Sequence, residues 1–212
     1  FVKEVDWVER KLYYPKEKDE RLERLTSIMM KRYHLKFGEA KNTSEFLRKY
    51  SDDFFEILDK TYSDIYGTVP FTENMKKMMI SNFKLIVDVK RVAVIVDENN
   101  KVVCFGICFP SIAKAVQKSN GHLTIPGIFR ILKAIKNPEI IDLGLIGVLP
   151  EYQMRGISSA LINEILKMLE NGKVKYAETN LNLEDNYNIQ NQWKAFDSVL
   201  HKRRRCYVKK ID

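Results

Sequence analysis

The sequence predicts an α/β (α+β) fold, a mixed and mostly antiparallel twisted sheet flanked by helices. Three stretches carry that prediction. "RVAVIVDENNKVVCFGICFP" at 91–110 sets two β-rich runs around the turn-rich Asp97-Glu98-Asn99-Asn100, the pattern of an antiparallel hairpin. "IIDLGLIGVLP" at 140–150 is a continuous apolar run, as in a strand buried on both faces. Helix, strand, helix and closing strand then alternate to the end of the chain.

Taken in order, "VDWVERKLYYP" alternates as a strand that Pro15 ends. "DERLERLTSIMMKRYHL" places Leu22, Leu25, Ile28 and Met29 at helical spacing behind a capping Asp19, and "YHLKFGEA" reads as a short strand. Residues 1–32 are set apart as an N-terminal strand-helix appendage, or the tail of a preceding domain. Residues 42–67 form a helix that Thr43 or Ser44 caps and Gly67 closes, and residues 72–86 form another with a Met75, Met78, Met79 core stripe. After the hairpin, residues 111–138 form a long connection with two short helices split by Gly121 and Pro126. Such connections are often functional, and His122 in it is placed to roof an acceptor site. "ISSALINEILKMLENG" is a helix with Ile157, Leu161, Ile165 and Leu169 on one face. "VKYAETNLN" is a strand, "EDNYNIQNQWKAFDSVL" a helix and "RRRCYVKKI" the last strand.

Composition narrows the function classes. The chain of 212 residues is 45% hydrophobic and 30% charged, as in a globular protein, and no apolar run approaches the roughly 20 residues of a membrane span, so no membrane partner is expected. Three sparse cysteines, Cys104, Cys108 and Cys206, point to a reducing cytoplasm rather than a disulfide framework. Cys104 and Cys108 read as buried small hydrophobes, and no metal-ligand spacing occurs. A net charge of +8 favours anionic partners.

The helix after "GVLP" opens without an acidic residue. Arg155, Gly156, Ser158 and Ser159 stand where aspartate or glutamate would complement the helix dipole. A helix start with no acid, a glycine and a nearby arginine is suited to an anion such as a pyrophosphate. "GVLPEYQMRGISSALI" resembles motif A of the GNAT acyltransferase superfamily through Val148, Pro150, Gln153, Gly156 and Ser158, with serine where the family has glycine or alanine. The order of elements over residues 33–212 matches that fold. The patches "NGHLTIPG", "EDN" and "KRRR" followed by Tyr207 are similar to those of bacterial YghO-like GNAT proteins.

The resemblance implies a GNAT acyl-CoA N-acyltransferase domain over 33–212 and acetyl-CoA as donor. The cofactor would lie along the main chain of Ile146, Gly147 and Val148 and in the turn of Gln153, Met154, Arg155, Gly156, Ile157 and Ser158. Asn186, which the residues alone read equally as a helix cap, matches a family asparagine that faces the cofactor. Asp142 stands six residues before the strand-end Val148, at the position of the family's base. Glu178, on one strand face with Tyr176 and Asn180, is the rival carboxylate. The family's general-acid tyrosine is replaced by Trp193, and Asp197-Ser198 replace the glycine-phenylalanine pair.

The leading expectation is a cytoplasmic acyl-CoA-dependent N-acyltransferase acting on an amine. A CoA thioester and an acceptor amine are its expected partners. The alternatives are a non-catalytic acyl-CoA-sensing module, or nucleic-acid binding through Arg203, Arg204 and Arg205. These arginines are otherwise expected to form a solvated edge-strand face.

Overall fold

The computed structural model describes residues 1–17 and 19–211. In chain order the elements are β1 (Val2–Tyr13), α1 (Glu20–Arg32), β2 (Lys36–Phe37), α2 (Thr43–Tyr62), α3 (Glu73–Ile86), β3 (Val92–Val96), β4 (Val102–Pro110), α4 (Ala113–Gln117) and α5 (Ile125–Lys136). There follow β5 (Ile140–Val148), α6 (Ser158–Glu170), β6 (Tyr176–Thr179), β7 (Asn182–Leu183), α7 (Tyr187–Gln192) and β8 (Asp197–Val208). Local chemistry sets most of these bounds. Asp19, Asn42, Thr72 and Thr124 each accept a backbone N–H in the first turn of α1, α2, α3 and α5.

The contacts divide the chain into two compact units. The first comprises Phe1–Lys18, Pro110–Leu143 and Ile165–Asp212. Its hydrogen-bonded strand order is β5, β6, β1, β7, with β8 on the opposite edge of β1. The β5–β6 pair is parallel, while β1 is antiparallel to β6, β7 and β8. Val5, Asp6, Val8, Glu9 and Leu12 of β1 are all buried, the two-sided burial of an internal strand. This differs from the sequence expectation of an appendage over 1–32. Residues 2–13 are an inner strand of the first unit, and α1 belongs to the second. The charges in β1 hid this, because their partners lie on β8. The helix expected over 184–200 also ends early, at Gln192 with one further 3₁₀ turn. Its remaining residues Asp197–Leu200 open β8 instead, since β1 offers an edge along its whole length.

The second unit comprises Asp19–Phe109 and Gly144–Glu164. Its strand order is β2, β3, β4, β5, and β2–β3–β4 is antiparallel. One aliphatic and aromatic core joins α2, α3, β3, β4 and the start of α6. Phe54 sits at its centre, with ring centroids 4.4 Å from Phe105 and 5.7 Å from Phe83. Cys104 and Cys108 are buried free thiols. Desolvation raises both, Cys108 to about 12, which leaves them as inert apolar side chains.

Gly147 on β5 is required by this packing. A Cβ there would lie 2.6 Å from Ile57 Cγ2 and 2.7 Å from Phe105 Cε1, both core atoms. Gly147→Ala is therefore expected to cost about 1–3 kcal/mol through overpacking. Equilibrium urea unfolding checks this, and a midpoint equal to the parent's would show that the core yields freely.

Candidate functional site

In the second unit, β5 ends in the turn that the sequence singles out. The β5–β6 register closes at Leu143↔Thr179, where β6 itself ends, and β5 runs on to Val148. Leu149 N–H donates to Val103 C=O, fixing this end of β5 against β4. Main-chain groups alternate in direction along an extended strand, so the carbonyls of Ile146 and Val148 point away from that edge. Both accept side-chain donors. Tyr62 Oη donates to Ile146 O at 2.9 Å, and Gln153 Nε2 donates to Val148 O at 3.0 Å.

The turn itself has two residues in the left-handed region, Met154 at φ 58° and Gly156 at φ 76°. For Gly156 this is a backbone reason for glycine, and the space where its Cβ would stand is open. Met154 is 94% exposed. Arg155 lies over two aromatic rings, 5.1 Å from the centroid of Tyr33 and 5.7 Å from that of Tyr152. Its charge is thereby held beside the turn. α6 begins at Ser158 with no acidic residue in its first turn, so its dipole presents positive potential, although the Ser159 and Ala160 N–H groups donate to Gly156 O and Ile157 O. Ile157 is buried and anchors the turn to the core. Ser159 is turned inward: its hydroxyl lies 3.0 Å from Thr26 Oγ1 and donates to Gly156 O at 2.6 Å. Asn163 Nδ2 donates to the same threonine.

In the first unit, Asp142 and Glu178 are register partners on parallel strands. Desolvation raises the Asp142 pKa above the ordinary carboxylate value. The Glu178 and Glu9 carboxylates add to that, while a Ser111 hydrogen bond and Lys202 oppose it. Glu178 is ion-paired to Lys202 and lies 3.4 Å from His201 Nε2; Lys202 also reaches Glu9 at 3.1 Å. The two candidate carboxylates thus differ. Glu178 is neutralised by a cation, and Asp142 is the one driven toward its basic, proton-accepting range. Asn186 caps α7, accepting Ile189 N–H at 3.3 Å.

The basic strand is not a row of free cations. Arg205 holds Asp6 through two hydrogen bonds of 2.8 and 2.9 Å, and Arg203 reaches Asp6 at 2.7 Å and Glu184 at 2.6 Å. Arg204 pairs with Glu9 at 2.8 Å. The arginines hold the buried Asp6 carboxyl far below the usual range.

Tyr62 was not singled out in the sequence, where it reads only as part of the apolar face of α2. Its target carbonyl is 84 residues away. Trp193 is buried and donates from Nε1 to Asn182 Oδ1. A separate cavity of about 390 Å³, lined by Gly38, Lys41, Glu45, Lys49 and neighbouring residues of the second unit, contains none of the residues discussed above. Among the described residues no cluster of His, Cys, Asp and Glu could hold a metal ion, and no helix is long and apolar enough to cross a membrane.

No family model matches the chain, and no curated protein matches it. Solved structures do. The GCN5-related glucosamine N-acetyltransferase region of a fungal multi-domain GH3 β-N-acetylglucosaminidase superposes with a TM-score of 0.58 at 12% identity, over 97% of this chain. The match spans only 21% of the fungal protein. A possible acetyltransferase from Clostridium difficile 630 superposes with a TM-score of 0.52 at 12% identity, over 84% of this chain and 98% of that one. At such identity the likeness establishes the fold: the chain has the mixed, mostly antiparallel sheet with flanking helices of GNAT-like structures.

Proposed function

We propose that the protein is an acyl-CoA-dependent N-acyltransferase, with acetyl-CoA as donor and an amine as acceptor. One observation carries the reading. On a GNAT-like fold, β5 leads through Gln153–Ile157 into an acid-free helix start, with Gly156 at positive φ and Arg155 beside it. That arrangement suits the pyrophosphate of CoA.

In the reaction the neutral amine nitrogen attacks the thioester carbonyl. The C–N bond forms and the C–S bond breaks. A base takes the proton from the attacking nitrogen, a role proposed for Asp142; in the second unit, where the turn would hold the cofactor, Tyr62 is the proposed proton donor to the leaving thiolate. Solvent restores both groups. Tyr62 fills the role left empty at Trp193: burial raises its pKa, so it is a protonated donor at neutral pH, and it touches the β5 carbonyl of Ile146. Tyr62→Phe is expected to lower kcat about a hundredfold while leaving the CoA-induced rise in Tm intact. The defect should shrink with a thioester of a more acidic thiol, which needs no proton. Equal loss with both thioesters would make Tyr62 a packing residue only.

The test of the function itself is thermal melting with acetyl-CoA, followed by a panel of amines scored for CoA release. A rise in Tm is expected from linkage. Binding without release on any amine would favour a sensing module, the reading supported by the buried Trp193. Absence of binding would end both. Nucleic-acid binding through β8 is disfavoured, because Arg203, Arg204 and Arg205 are already paired with carboxylates.

A further inference from the structure

The connection between β4 and β5 points its apolar residues the wrong way for a core. Over residues 111–138 there is no aspartate or glutamate, and there are five cations: Lys114, Lys118, Arg130, Lys133 and Lys136. α5 meets its own unit through Gly127, where a Cβ would stand 2.9 Å from Ser119 Oγ and 3.1 Å from His122 O. Ile131 and Ala134, half-buried, lie on the same side. A helix turns by about 100° per residue, which places Ile125, Ile128, Phe129, Leu132 and Ile135 within an arc of about 120° on the opposite side. These five are exposed, Ile125 by 75%, Phe129 by 68% and Leu132 by 56%, and Leu123 extends the patch at 77%. A surface helix ordinarily turns such a stripe inward.

We propose that α5 docks on an anionic lipid bilayer surface, its Ile125–Ile135 stripe entering the acyl boundary and its cations meeting the headgroups. The charge pattern selects this occupant. Lys133 borders the stripe and Lys136 ends it, while the one acid of the connection, Glu139, is paired with Lys175, so a second copy of the chain would bring like charges together. A bilayer with anionic headgroups satisfies both the apolar arc and its cationic border. At 12 residues α5 is too short to span a bilayer, so the helix lies on the surface. The sequence expectation of no membrane partner weighed only spans. This proposal is independent of acyl transfer.

The full chain is sedimented with vesicles of phosphatidylcholine alone and of phosphatidylcholine with phosphatidylglycerol. Binding to the anionic vesicles is expected, more than about tenfold tighter than to the neutral ones and weakened by salt. Phe129→Glu with Leu132→Glu should abolish it. Both side chains are exposed, and an unchanged thermal melt would confirm that the variant folds. Lys133→Glu with Lys136→Glu should remove the preference for anionic lipid. The proposal is overturned if the parent sediments with neither vesicle, or if the Phe129→Glu, Leu132→Glu variant binds as the parent does. It is equally overturned if the parent ignores vesicles but forms a dimer, or captures an acidic protein, that the same variant loses.

Discussion

Asp142→Asn is expected to lower turnover by about two to four orders of magnitude, the range for a lost general base. The amide keeps the size of the carboxylate and removes its basicity, so the CoA-induced rise in Tm should persist. The acid limb of kcat/KM in the parent should lie above the ordinary aspartate range, because burial and the Glu178 and Glu9 carboxylates raise the Asp142 pKa. The sign follows from the role. The base works unprotonated, so activity rises as pH passes upward through the raised pKa, and the limb vanishes in the variant. The defect should narrow at high pH, where more of the amine is already neutral. Glu178→Gln is the control. If Asp142→Asn stays active and Glu178→Gln does not, the base is on β6. If neither matters, the amine arrives deprotonated and catalysis is mostly positioning.

Gly156→Glu should abolish the response to CoA. At a ligand concentration a hundred times Kd, binding stabilises a protein by about 2.7 kcal/mol, and that increment should disappear from the melt. Two effects act together. Gly156 is at φ 76°, where a Cβ is strained, and the open space beside it would hold a carboxylate in front of the α6 N-terminus. Gly156→Asn separates them. Asparagine tolerates positive φ and brings no charge, so it should retain most of the CoA effect. A Gly156→Glu protein that binds CoA as tightly as the parent would place the cofactor elsewhere.

What was legible in the sequence was local. The 92–110 hairpin follows from β-rich runs around Asp97, whose side chain accepts the Asn99 and Lys101 amides. The turn into α6 follows from glycine, arginine and the missing acids. What depended on distant residues was not legible. Asp6 and Glu9 read as solvent-facing charges until Arg205, Arg203 and Arg204 are seen over them. Asp197–Leu200 read as helix until β1 is seen beside them. The hydroxyl of Tyr62 had no visible destination, and the outward stripe of α5 has the same periodicity as an inward one.

The pairing of β1 with β8 has a kinetic consequence. Asp6 and Arg205 are 199 residues apart, and the two strands register almost end to end. Closing so long a loop costs configurational entropy before any contact of this pair is gained. Until then β1 keeps one edge open along its length and two unpaired carboxylates, so the first unit completes its sheet only after β8 has been synthesised. The second unit draws on Asp19–Glu164 alone and is under no such delay.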